Sequence, residues 1–215
     1  MLRKTLLICG ILTSLLYVAM NVFIPMLWPS YNSCSQTVSE LSAIGAPTRA
    51  VWVPFGLLYA LLFITFGWGV MKSTIQNRHL RLVGILLLIN GVISLAWVYA
   101  PMHLREVLAA GGATISDTIH LLFAFVTVLL MVFAIGIGAV SFGMRFRLYS
   151  IISLLVLLTF GILTSMDAAS VNKNLPTPWI GVWERINIGV FLLWIVVLSV
   201  ILFRNENLSV KTRTE

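Results

Sequence analysis

Charge is scarce in this sequence. Only 10% of its 215 residues are charged, whereas a soluble domain carries about 25%, so a water-soluble globular protein is excluded. Acidic residues are scarcest, at seven against 14 Lys and Arg. Cysteine is confined to Cys9 and Cys34, too few for a disulfide framework. Cys9 falls inside an apolar run and reads as a small packing residue. Several motifs are missing altogether: there is no P-loop, no Rossmann glycine fingerprint, no GxSxG, no HExxH and no CxxC. Nothing in the chain is of low complexity, and no linker divides it, so residues 1–215 read as one domain.

What is present is apolar. Hydrophobic residues make up 60% of the chain, which excludes disorder. A spanning helix needs about 20 mostly apolar residues, and six runs reach that length: 5–28, 51–71, 82–101, 118–142, 148–166 and 181–203. No period-two alternation marks barrel strands. The basic start, Arg3 and Lys4, resembles the n-region of a signal peptide. The apolar run after it is too long for an h-region and lacks a small-residue cleavage site, so it reads as a retained helix. The expected fold class is all-α: a polytopic bundle of six transmembrane helices.

The few charges sort by side. One side of the predicted bundle carries Arg3, Lys4, Lys72, Arg78, Arg81, Arg145, Arg147, Arg204, Lys211 and Arg213, and the other only Arg49, Arg105, Lys173 and Arg185. Basic residues concentrate in cytoplasmic loops, which predicts both termini inside a bacterial or archaeal cell membrane. The same pattern accounts for the net charge of +7 without nucleic acid. The outer loops are the longer ones: 29–50, 102–117 and 167–180. Glu40, Glu106, Asp117, Asp167 and Glu184 map outside, as do His103 and His120. Only Glu206 and Glu215 among the acids map inside. Trp28, Trp52, Trp97, Trp179 and Trp183 also gather near the outer boundary, as an aromatic belt would.

Ionisable groups at membrane depth are costly and so are candidate functional residues. Asp117 and His120, three apart, share a helix face with Ala124 and Thr127. A carboxylate beside an imidazole can orient it as a base or metal ligand. Thr114 to Asp117 is equally a capping box. Thr37 to Glu40 is another, and Gly45 and Pro47 would end a short amphipathic interfacial helix from Ser39 to Ile44. Ser39 is a nucleophile only with a base in reach. Glu184 and Arg185, adjacent on a helix, point about 100° apart, so each needs a partner elsewhere. For Arg185 the candidates are Glu40, Asp117 and Asp167, or an anionic head group. Asn90, Ser94, Trp97 and Pro101 form a polar stripe leading to His103, and Tyr17 and Asn21 form a shorter one. Zinc would need His103, His120 and one of Glu40, Asp117 or Glu184. Ala134 with Gly138, and Ala139 with Gly143, suit close helix packing.

The stretch Ser39-Glu40-Leu41-Ser42-Ala43-Ile44-Gly45-Ala46-Pro47-Thr48-Arg49, the opening Asp117-Thr118-Ile119-His120 and the pair Glu184-Arg185 carry a resemblance. Together with six spans they resemble the bacterial and archaeal membrane family known as domain of unknown function 998, over nearly the whole chain. The resemblance implies a six-helix membrane protein of unassigned activity and marks Ser39, Glu40, Pro47, His120, Glu184 and Arg185 for testing. A more distant comparison is to the alkaline ceramidase and adiponectin-receptor hydrolases, which use a Ser, an Asp and three His around zinc in seven helices. Here there is one span fewer, and His79 maps to the wrong face.

Three functions follow as expectations. The first is a membrane protein with an outward-facing polar pocket for a lipid head group or small amphiphile, with Arg185 on the anion and His120 and Glu40 shaping the cavity. The second is a membrane-embedded lipid hydrolase or transferase, zinc-dependent in one version, using His120 as base or ligand with Glu40 or Asp117. The third is a proton-coupled transporter using Asp117 and His120, disfavoured because no carboxylate and no broken helix falls at mid-depth.

Overall fold

The computed structural model describes residues 2–73 and 77–211. Arg213 and Glu215 of the charge pattern lie outside the described residues, as do the side chains of Glu206 and Lys211. The helices are α1 (Leu2–Phe23), α2 (Arg49–Ser73), α3 (Arg78–Ala96), α4 (Arg105–Ala109), α5 (Ile115–Gly138), α6 (Met144–Asn172) and α7 (Ile180–Lys211). All except the short α4 are long and apolar enough to span a membrane, and no strand occurs among the described residues.

Local chemistry moves several predicted boundaries. The first run ends early, because Pro25 supplies no amide hydrogen and the chain tightens into a 3-10 turn at Ile24–Leu27. α3 likewise passes into a 3-10 turn at Trp97–Tyr99. α6 outruns its apolar stretch by six residues, because Asp167 and Ser170 lower hydropathy without breaking a helix. α4 is too short to leave a hydropathy signal. Instead of the interfacial helix expected at Ser39–Ile44 there is a 3-10 turn at Val38–Ser42 whose Glu40 and Leu41 are fully buried. Its helical turn stops ahead of Gly45, which sits at φ 90°, a left-handed conformation that favours glycine.

Each spanning helix packs on its neighbours in sequence, and α7 returns to α1, so the six close into a ring. The start of α1 and the last turns of α7 lie at one end, where Lys4 sits 5.9 Å from the Phe203 ring. Glycines set the closest approach. A Cβ on Gly84 of α3 would stand 2.5 Å from the Met71 nitrogen of α2, and one on Gly67 would stand 2.6 Å from the Leu88 nitrogen. Gly138 of α5 similarly accepts the Trp194 ring of α7, as its small-residue spacing suggested, whereas Gly143 faces open space. Polar side chains join helices at depth: Thr13 to the Tyr59 carbonyl (3.1 Å), Ser14 to that of Leu192 (3.2 Å), and Trp194 to the Ser150 hydroxyl (3.0 Å).

The two halves of the ring differ. The half nearer the termini is solid, filled by Leu7, Phe63, Phe66, Leu87, Ile135, Phe191, Trp194 and Leu198. Cys9 packs there too. The other half, beneath the connections 29–48, 100–114 and 173–179, is hollow.

Candidate functional site

The connections at the hollow end are welded together by residues that the capping motifs only partly announced. Thr37 and Glu40 do form a capping box. The Glu40 carboxylate also receives two bonds from Arg105, Nε to Oε1 and Nη2 to Oε2, each 2.8 Å. With Gln36 and Thr37 also donating to it, both oxygens are saturated. Arg105 reaches on to the Thr177 hydroxyl (3.3 Å) and the Ser35 carbonyl (3.2 Å), and hydrogen bonding to Glu40 raises its already high pKa. One buried ion pair thus links the segment after α1, the start of α4 and the segment before α7. Arg105 was missed as a site residue. Its signal was its rarity, as one of only four basic residues on that side.

Arg185 has none of the carboxylate partners expected for it. Its guanidinium donates to the carbonyls of Ser33 (2.8 Å), Gln36 (3.3 Å) and Gly181 (2.9 Å) and to the Tyr31 hydroxyl (2.7 Å). Burial raises the pKa of Tyr31, against the lowering influence of Arg185. Arg185 therefore fixes the first connection, because one turn of α7 places its long side chain directly under that loop.

Asp117 and His120 share a face but do not pair. The Asp117 carboxylate turns back over its helix start and accepts from the Thr114 N–H (2.8 Å), the His103 N–H (2.7 Å) and His103 Nδ1 (2.9 Å). A capping carboxylate points away from the following turn, which leaves His120 alone. His120 instead donates from Nδ1 to the Ala100 carbonyl at 2.8 Å. A carbonyl only accepts, so Nδ1 carries the proton and the lone pair of the neutral ring is on Nε2. Trp97 packs edge-on against the imidazole, 4.5 Å between centroids.

Beneath the welded connections lies a cavity of about 760 Å³. Its wall includes Ser39, Asn90, Asp117, His120 and Glu184 of the predicted site, together with Arg49, Tyr17, Thr127 and Asn187. Glu40, His103 and Arg185 do not line it. Trp52 and Trp97 line it as well, so two tryptophans assigned to an aromatic belt face inward. Glu184 accepts from the Val38 N–H at 2.5 Å and lies beside Ser39. Among the described residues, no three His, Cys, Asp or Glu side chains gather to hold a metal. The zinc set drawn from His103, His120, Glu40, Asp117 and Glu184 is thus not assembled. His103 is bound to Asp117, Glu40 to Arg105, and His120 stands apart.

Three side chains in this wall each carry a polar group left without a partner. His120 is 4% exposed and Asn90 is 3% exposed. The hydrogen bonds at these residues use His120 Nδ1 and the Asn90 backbone carbonyl, which leaves His120 Nε2 and the Asn90 amide without a partner among the described residues, and the Thr127 hydroxyl is buried and unpartnered. Asn90 lies seven residues before Trp97, and Thr127 seven residues after His120. At 1.5 Å per residue both sit about 10 Å deeper than the imidazole, on antiparallel helices. Sequence reading found these stripes but could not know that their polar ends would be left open.

A ring of six apolar helices, hollow at one end, defines a multi-pass integral membrane protein. The family described as "Protein of unknown function (DUF998)" matches residues 11–201, and the chain belongs to that family. No curated protein and no solved structure matches it.

Proposed function

We propose that this chain is a cell-membrane protein with both termini cytoplasmic, whose cavity takes a lipid head group or small amphiphile on the outer side. The observation that carries the reading is the unpartnered set: His120 Nε2, the Asn90 amide and the Thr127 hydroxyl in one apolar-walled cavity. Leaving the buried Thr127 hydroxyl unmatched costs roughly 1–3 kcal/mol, so a ligand that hydrogen-bonds there gains what the protein alone forgoes. The cavity volume of about 760 Å³ lies within the range of roughly 300–1,000 Å³ typical of small-molecule sites. Arg49, rather than Arg185, is the cation placed to meet an anionic head group. It lines the cavity, donates to the Ser42 carbonyl and pairs with no carboxylate among the described residues.

The test is native mass spectrometry of protein extracted with its own lipids. Wild type should carry a bound amphiphile, and Asn90→Leu should retain at least tenfold less. A wild type that carries nothing under mild extraction would sink the reading.

The tautomer of His120 favours a second reading, a lipid hydrolase or transferase with Nε2 as general base and Ser39 as candidate nucleophile. Incubation with phosphatidylethanolamine and phosphatidylglycerol vesicles separates the two. Product formation by wild type and not by His120→Gln supports the enzyme, and unchanged lipid leaves the binding role.

A further inference from the structure

The cavity wall is unevenly exposed. Of its loop-side members Val38, Met102 and Leu108 are buried, at 3%, 8% and 8% exposed, and Ser39 and Ser42 are half-buried, whereas Ala113 is exposed. By contrast, Leu121 (53%) and Phe125 (62%) of α5, and Leu158 (39%) and Ile162 (58%) of α6, line the same cavity and face outward. The remaining exposed wall residues, Ala113, Thr118, Ser165 and Asn172, lie on these two helices or just before α5. Every exposed part of the wall is therefore on the α5–α6 side. The geometry follows from the connections. A tight turn at 139–143 holds α5 and α6 together at the terminal end. At the far end the link is indirect: α4, just ahead of α5, packs on α6, with Leu108 and Val171 in one apolar cluster, while Arg105 and Asp117 weld the α5 side to the segments after α1 and α3.

We propose that the gap between α5 and α6 is a side window through which a bilayer amphiphile passes its chain into the cavity. This rests on the binding role argued above and specifies its source, the membrane rather than the aqueous phase. Two features support that source. Leu121, Phe125, Leu158 and Ile162 fall within the apolar spans Ile115–Gly138 and Met144–Asn172, so the window opens at membrane depth onto acyl chains. The aqueous end is covered by connections locked through the Glu40–Arg105 pair (2.8 Å). The ligand class is an apolar chain bearing one hydrogen-bonding group. The chain slides between α5 and α6 while the polar group reaches His120, and Asn90 and Thr127 meet any oxygen carried further in.

The experiment uses full-length protein in vesicles of phosphatidylethanolamine and phosphatidylglycerol containing a 16-carbon fatty acid with a mid-chain diazirine. Light fixes the probe, and labelled peptides are read by mass spectrometry. Met131 and Leu157 line the cavity floor at 5% and 0% exposure, so only a probe inside the cavity labels them. In wild type both should be labelled. Ile162→Trp, which plugs the window, should reduce labelling at Met131 and Leu157 at least fivefold, while Leu61→Trp on the exposed face of α2 leaves it unchanged. If Ile162→Trp does not fold, Ile162→Cys alkylated after folding with a bulky maleimide provides the same plug. Undiminished floor labelling with the window plugged would overturn the side access and leave the binding role standing. Absence of floor labelling in wild type would overturn the binding role itself. Cross-linked peptides joining the α5–α6 faces of two chains would assign the gap to a second copy and overturn the proposal.

Discussion

Two carboxylates of similar sequence appearance share one fate at the residue scale. Glu40 and Asp117 each close a capping box, and each was a candidate catalytic partner. Both are instead saturated by local and cross-chain donors. Removing one partner of a buried ion pair costs roughly 3–5 kcal/mol because the other charge is left bare. Glu40→Gln should therefore lower the melting temperature in detergent sharply, and Glu40→Gln with Arg105→Gln should recover part of the loss. A Glu40→Gln protein that melts like wild type would contradict a structural weld. Asn90 should behave in the opposite sense. Its amide has no protein partner, so Asn90→Leu should keep or raise the melting temperature of lipid-free protein while losing bound amphiphile. A packing role would predict destabilisation instead.

Contacts between elements rest on the absence of side chains as much as on their presence. α2 and α3 meet where Gly84 and Gly67 let backbone approach backbone. Overfilling such a contact costs about 1–3 kcal/mol. Gly84→Ala should lower the melting temperature, whereas Gly136→Ala, with nothing within 4 Å of the added carbon, should not. Equal effects at the two sites would refute the close-approach account. The six spans were legible from apolar runs because the bilayer demands length and hydropathy of each helix separately. Their ends were not, because Pro25, the 3-10 turn at Trp97–Tyr99 and the polar last turns of α6 depend on hydrogen bonding that hydropathy does not register.

At the scale of the whole molecule, the uneven distribution of basic residues sets an expectation for sidedness. A reporter fused to the C-terminus should register cytoplasmic, and an outside signal would invert the bundle and place the cavity inside. The ring itself is asymmetric: solid where aromatic and branched residues fill it, hollow where Asn90, Thr127 and His120 replace them.

The sequence by itself determined the class, the number of spans and the end of the molecule at which scarce acids and histidines collect. Each of these follows from one-dimensional rules of hydropathy and charge. Only the tertiary structure decided who pairs with whom. It gave Glu40 to Arg105, Asp117 to His103 and Arg185 to backbone carbonyls, and it left His120 and Asn90 open to a cavity. Most of those outcomes depend on distances between residues far apart in the chain, up to 152 positions for Arg185 and Ser33, which no local spacing encodes.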